Sequence, residues 1–328
     1  MTRPGDTRRS GVHRALVVLS VTVLAALLVT SAATLPFTLN WYDVQELGEA
    51  VRHAPTSDPT VSFDSFEPSV SPGMLAPAAR YLHAASSWLG HDDLGRSMLF
   101  RLLPGFLISL GIGLASAAIA VCLGTFWGAT AALVGGNTDR VMMRIVDVLF
   151  GLPYILMVIL LKIALTRPLS ALLGGQTAVA DLIVLFVAIG AVSWLTMARV
   201  VRGQVLSLRA QPFIEAARAA GASRLRILCR HLLPNLVGPV IVYATLVIPQ
   251  AIMQESFLSF LGIGVTQPTP SLGRLAADGV EAVNTFVGYW WLIVYPCGVL
   301  VVTLVAMNVL GDALRDRLDP RSQMTSLV

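Results

Sequence analysis

The 328-residue chain is 55% hydrophobic and 13% charged, with a mean hydropathy of +0.73, whereas a soluble globular domain carries about a quarter charged residues; a soluble domain is excluded and an integral membrane protein indicated. The net charge of +4 comes almost wholly from arginines beside apolar runs, a placement that serves membrane topology and argues against a nucleic-acid partner. Cys122, Cys229 and Cys297 are scattered, with no CxxC pair and no metal-ligand spacing, which argues against a disulfide scaffold.

Arg3, Arg8, Arg9 and Arg14 precede an apolar run from Ala15 to Leu35, about the 20 residues that a spanning helix needs. This predicts a cytoplasmic segment 1–14 and an uncleaved first membrane helix at 15–36. The arginine pair and the small residues around Ser31 to Ala33 also fit a cleaved export signal, whose apolar core is usually shorter. Residues 37–101 change character: prolines stand at 55, 59, 68, 72 and 77 among scattered acids, and no helical or strand period persists. An extracytoplasmic loop is expected there. It ends in LGHDDLGRSMLFRLL, residues 89–103, with Asp92, Asp93, Gly95 and Arg96 as its candidate site. Consecutive residues rarely converge on one metal, so no metal site is assigned to His91, Asp92 and Asp93. The two acids are expected to cap the following helix and to pair with Arg96 or Arg101.

Residues 102–311 carry five further spans. Leu102 to Thr138 contains no charge and is too long for one straight crossing, ending near Gly135-Gly136. It is rich in small residues, and Gly124 and Gly128 form a GxxxG pair that allows close helix approach. The third span is expected from Arg144 to Leu165, with Asp147 and Lys162 near its two ends and Pro153 as a kink. The fourth runs from Asp181 to Arg199, the fifth from Leu236 to Leu261, and the sixth from Gly288 to Leu310. Tyr289, Trp290 and Trp291 suggest an aromatic belt at the start of the sixth.

Between the fourth and fifth spans lies RAQPFIEAARAAGASRLRILCRHLLPN, residues 209–235. Pro212 suits a first helical turn, Gly221 a left-handed helix end, and Ser223 the cap of a second helix. In that second helix Leu225, Leu228 and Leu232 share a face, and Pro234 is expected to close it. Such a unit reads either as an interfacial loop whose arginines set topology or as a surface made to touch a partner. The termini, the loop at 135–144 and residues 199–230 hold 16 Lys and Arg; the opposite side holds 7. The bias places both termini, the 312–328 tail and the Glu215 stretch in the cytoplasm.

EAARAAG followed by HLLPN resembles the EAA signature of permease subunits of ATP-binding-cassette importers, with Glu215, Ala216, Ala217, Gly221, Leu233 and Pro234 at the matching spacing. Arg218 lies within it. His231 before the Leu-Pro is usual in the dipeptide, oligopeptide and nickel branch. LGHDDLGR resembles LGTDDLGR of that branch, and TDRVMMRIVDVLFGLP, VRGQVLSLR, ESFLSFLGIGV, PTPSLGRL and NVLGDALRDRLDPR resemble its successive segments in order, over residues 89–321. The resemblance implies an all-α integral membrane protein with six transmembrane helices, the type I importer permease fold and a cytoplasmic coupling helix at about 209–233. It implies separate ATPase subunits that bind ATP and Mg, a second permease subunit, an extracytoplasmic solute-binding protein, membrane lipid, and a peptide or similar small solute.

Glu255, in the fifth span, is costly there: facing the bundle it holds a neighbouring helix or lines the translocation path, and near the outer end of the span it merely reaches water; Glu255→Gln is expected to spare assembly. The single lysine, Lys162, follows leucine, so no GxxxxGK[ST] loop exists and no ATP site, cofactor or catalytic residue is assigned to this chain. GxSxG and HExxH are also absent. A stand-alone secondary transporter would use intramembrane carboxylates and internal repeats, and an intramembrane hydrolase would need a nucleophile and base on facing helices; both remain as alternative readings.

Overall fold

The computed structural model describes residues 4–42, 88–92, 94–282 and 289–318. Most of the expected loop at 37–101, Asp93 and the end of the tail lie outside the described residues. Among those described, the chain is helical, with no strand and one antiparallel bridge between His91 and Ser97. In chain order the helices are α1 (Pro4–Trp41), α2 (Met98–Val134), α3 (Gly136–Phe150), α4 (Tyr154–Leu172), α5 (Thr177–Arg209), α6 (Pro212–Ala219), α7 (Arg224–Ile227), α8 (Leu233–Phe260), α9 (Leu272–Ala282) and α10 (Trp291–Leu318). A π-helical turn, Leu228–Leu232, joins α7 to α8. Among the described residues, six stretches are long and apolar enough to cross a membrane: Arg14–Leu39, Met98–Val134, Tyr154–Leu172, Thr177–Arg209, Arg224–Phe260 and Trp291–Leu318.

The third span differs from its expected bounds. Pro153 does not kink one helix but stands at the N-cap of α4, in an extended conformation with ψ of 124°. Gly151 and Leu152 close the preceding α3 through N–H bonds to Asp147 and Leu149 carbonyls at 3.1 and 3.2 Å. A proline lacks the N–H and excludes the α conformation from the residue before it, so the chain stops and restarts. The apolar span is therefore Tyr154–Leu172, and Lys162 lies inside it, paired with Asp181 of α5 at 3.1 Å. Asp147 stays on α3 and meets Arg199 at 3.0 Å, while that guanidinium lies 3.9 Å from the centroid of the Phe150 ring.

The described residues form two compact units. The first comprises Met1–Val21, Gly111–Gln254 and Leu304–Val328. Its core is the seam of α2 with α5, where Gly124 and Gly128 let two backbones meet. A Cβ on Gly124 would lie 2.5 Å from Met197 Cβ, and one on Gly128 would overlap the Ala198 carbonyl oxygen and lie 3.0 Å from the Arg202 nitrogen. Only glycine fits such an approach. Trp127 and Trp194 add an edge-on pair with ring centroids 5.3 Å apart over buried Val146, Leu195 and Ala198.

The second unit comprises Thr22–Leu110 and Glu255–Thr303. Here α9 packs its Leu272, Leu275 and Gly279 face inward, an i, i+3, i+7 pattern that was present in the sequence. Trp291 is 5% exposed and its indole N–H donates to the His91 carbonyl at 3.2 Å, so it is a buried clamp rather than part of an aromatic belt. Trp290 beside it is exposed.

Candidate functional site

Residues 209–236 build a surface helical hairpin. Pro212 is in the first turn of α6, where a missing N–H costs nothing. The helix ends in a Schellman motif: the Ala222 N–H donates to the Ala217 carbonyl at 3.0 Å and the Gly221 N–H to the Arg218 carbonyl at 2.9 Å. This closure needs a left-handed residue, and Gly221 supplies it with φ of +80°. Ser223 then caps α7, its Oγ accepting from the Arg226 N–H at 3.3 Å.

The apolar face of the second helix is the expected one only in part: Leu232 is buried and Leu228 packs half-buried against the same core, but Leu225 does not join them. Leu225 is 68% exposed, whereas Ile227, Leu232 and Leu236 are buried with Ile214 against Ala129, Ala132, Met197, Val201 and Val205. The cause is the π turn, whose closing bond runs from the Leu233 N–H to the Leu228 carbonyl. One extra residue per turn rotates the face, so that 227, 232 and 236 point one way. The same turn explains why Pro234 does not close the helix. Its clash with the preceding turn is relieved where that turn is already widened, and the Asn235 amide donates to the His231 carbonyl at 2.6 Å. The chain consequently runs as one helical span from Arg224 to Phe260.

The outward face carries Glu215, Ala216 and Arg218, all exposed, with Ala217 and Leu233 half-buried and Pro234 exposed. Glu215 and Arg218, one turn apart on α6, form no ion pair among the described residues, and both side chains are exposed. Ile214 anchors the hairpin from beneath, and burying such a side chain is worth about 1.5–3 kcal/mol. Arg209, at the end of α5, donates to the Ala132 carbonyl of α2. Arg202 grips Asp139 of α3 through two bonds of 2.6 Å, and this guanidinium holds the Asp139 carboxyl below the usual aspartate range.

Glu255 belongs to the second unit and is fully buried. Ser109 Oγ donates to its Oε2 at 2.9 Å and Ser259 Oγ to its Oε1 at 2.7 Å. Each serine also accepts a backbone N–H, from Leu272 at 3.0 Å and from Val265 at 3.1 Å respectively. The carboxyl thus ties α2, α8, the turn after α8 and the start of α9 together.

Asp92 occupies a second hub in this unit, 2% exposed. It accepts from the Leu94 and Arg96 backbone N–H groups at 3.0 and 2.8 Å, and its Oδ2 lies 2.7 Å from both the Arg96 and the Arg101 guanidinium groups. Gly95 turns the chain between them with φ of +76°. Arg101 reaches on to Asp278 of α9 at 2.9 Å, and Arg274 lies 2.8 Å from the same carboxylate. Asp278 was missed by the sequence reading; its only signal was its place on the polar side of a short amphipathic pattern.

The family model for "Binding-protein-dependent transport system inner membrane component" matches residues 120–323. The chain is 41% identical to the oligopeptide transport system permease protein OppC of Bacillus subtilis (strain 168), over 71% of this chain and 72% of the relative. It is 41% identical to the dipeptide transport system permease protein DppC of the same organism, over 73% and 70%, and 44% identical to OppC of Escherichia coli (strain K12), over 72% and 73%. Among solved structures, an inward-facing form of the MetNI methionine ABC transporter covers 68% of this chain and 98% of its own, at TM-score 0.53 and 19% identity. That likeness carries the helical fold alone, and the sequence relatives carry the membership. The chain belongs to the family of binding-protein-dependent transport system inner membrane components.

Proposed function

We propose that this chain is a permease subunit of an ATP-driven importer of peptides or similar small solutes, in the inner membrane, with both termini and the α6–α7 hairpin in the cytoplasm. A second permease subunit completes the pore, a solute-binding protein delivers cargo from outside, and separate ATPase subunits bind ATP and Mg. Lipid surrounds the spans. The names of the relatives support the solute class.

The observation that carries the coupling role is mechanical. The hairpin shows its polar face to solvent, is held from below by Ile214, and runs through the π turn into α8 without a break. A partner that pushes on Glu215, Ala216 and Ala217 therefore moves a membrane helix, and the Gly221 bend keeps the two arms of the hairpin together. Closure of the ATPase pair on ATP would displace the hairpin and rock α8 between inward- and outward-open arrangements.

The test is a single cysteine at Ala217, in a chain whose three native cysteines are serine, co-expressed with the ATPase subunits. An ATP-sensitive cross-link to an ATPase is expected, together with loss of transport but normal insertion in Glu215→Lys. With folded ATPases present, absence of both cross-link and co-purification would make the hairpin an interfacial loop.

A further inference from the structure

Helix α3 is tied to a membrane span at each end by a very short link: Gly135 alone joins it to α2, and residues 151–153 join it to α4. One side of it is fixed within the first unit. Asp139 bonds Arg202, the Trp127 indole N–H donates to the Met142 carbonyl at 3.1 Å, and Val146 is buried beside Leu195 and Ala198. Helical periodicity puts Val141, Ile145 and Val148 on a different face, at i, i+4 and i+7. All three are exposed, Val148 at 62%. This stripe cannot turn inward without breaking the three anchors.

Arg140 and Arg144 run along the edge of the stripe, one turn apart, both exposed and in no ion pair among the described residues. The two acids of the helix are both held by α5, Asp139 through Arg202 and Asp147 through Arg199. An exposed apolar stripe beside two uncompensated positive charges is the pattern of a helix lying where membrane meets water. Its place in the chain agrees. The span that follows shows an exposed stripe of its own, Leu156, Leu160 and Ile163, and the short links keep α3 at the level where such spans reach the headgroups.

We infer that α3 is a docking face for anionic phospholipid of the cytoplasmic leaflet, with Val141, Ile145 and Val148 against the acyl chains and Arg140 and Arg144 against the headgroup phosphates. The choice of leaflet rests on the importer reading above. A lipid monolayer supplies both chemistries in the required order, acyl carbon below and phosphate above, and a guanidinium binds phosphate through parallel N–H bonds. A protein neighbour would have to bring acids to that edge as well as an apolar floor. Each basic residue near an anionic surface contributes about a fivefold preference.

The experiment uses the importer assembled with its ATPases, in nanodiscs of phosphatidylcholine and phosphatidylglycerol in equal parts. Val148→Cys, in a chain whose native cysteines are serine, carries a bimane, and a minor share of one lipid or the other bears a nitroxide near the top of its acyl chain. Labelled phosphatidylglycerol is expected to quench more than labelled phosphatidylcholine, by up to about fivefold for each arginine. Arg140→Gln with Arg144→Gln should bring the ratio to about one, while Arg140→Lys with Arg144→Lys keeps it, because the surface responds to charge. High salt should lower the wild-type ratio. Equal quenching by the two lipids in the wild type overturns the anionic face. No quenching by either shows that a protein, the second permease subunit or an ATPase, covers the stripe, which overturns the proposal while the importer reading stands. Failure to assemble with the ATPases counts against the importer reading, and the same ratio measured on the chain alone then decides the lipid face.

Discussion

Arg101 and Asp278 lie 177 positions apart in the chain and meet at 2.9 Å, with the arginine 1% exposed. Since Asp92 holds the other arm of the same guanidinium at 2.7 Å, one buried side chain fastens the LGHDDLGR segment to α9. Removing one partner of such a pair leaves an uncompensated buried charge, at a cost of about 3–5 kcal/mol. Arg101→Ala should lower the thermal midpoint of the purified protein strongly. Arg101→Lys should recover only part of it, because a point charge cannot bridge two carboxylates as a planar fork does. Equal midpoints for wild type and Arg101→Ala would refute the bridging role.

Gly128 should tolerate no side chain, since a Cβ there overlaps the Ala198 carbonyl. Gly128→Ala forces α2 from α5 and is expected to destabilise by about 1–3 kcal/mol. Gly203→Ala meets no atom within 4 Å and should be neutral or stabilise by up to about 1 kcal/mol, the helix-propensity gain. Differential scanning fluorimetry of the two variants in one detergent decides this; equal shifts would count against the close seam.

At Glu255 the two serine hydroxyls both donate to the carboxyl and both accept a backbone N–H. Glutamine retains one acceptor oxygen, so Glu255→Gln should lose about one hydrogen bond, roughly 1 kcal/mol, and still assemble. Glu255→Leu strands both hydroxyls and should cost about 2–6 kcal/mol, one desolvation penalty for each. Yield of folded protein on size-exclusion chromatography separates them. A well-assembled Glu255→Leu would show that the serine ties are dispensable.

Asp139 predicts a pH dependence with a definite sign. Bonding to Arg202 depresses its folded-state pKa, so the pair stabilises the fold above the unfolded aspartate pKa, about 4. That contribution is lost as pH falls through the folded value. The midpoint difference between wild type and Asp139→Asn should therefore be constant near neutrality and shrink at acid pH. A difference that grows on acidification would contradict the assignment.

The hairpin illustrates how far one-dimensional reading extends. Pro212, Gly221 and Ser223 act through local backbone geometry, so their roles as first-turn proline, left-handed cap and helix cap were legible from spacing alone. Composition and apolar run length set the membrane class and the number of spans for the same reason: both depend on each residue's own transfer free energy. What the sequence left undecided was everything that depends on a distant partner. The buried face passed from Leu225 to Ile227 because a π turn, itself a response to Pro234 and to the packing of Leu232 under α5, added a residue to one turn. Pro153 could kink one helix or divide two, and the division goes with the pairing of α3 to Arg199 and Arg202 of α5. Trp291, read as a belt residue from its aromatic neighbours, was drawn inward by the carbonyl of His91. In each case local preference allowed two conformations differing by little energy, and a contact remote in sequence chose between them.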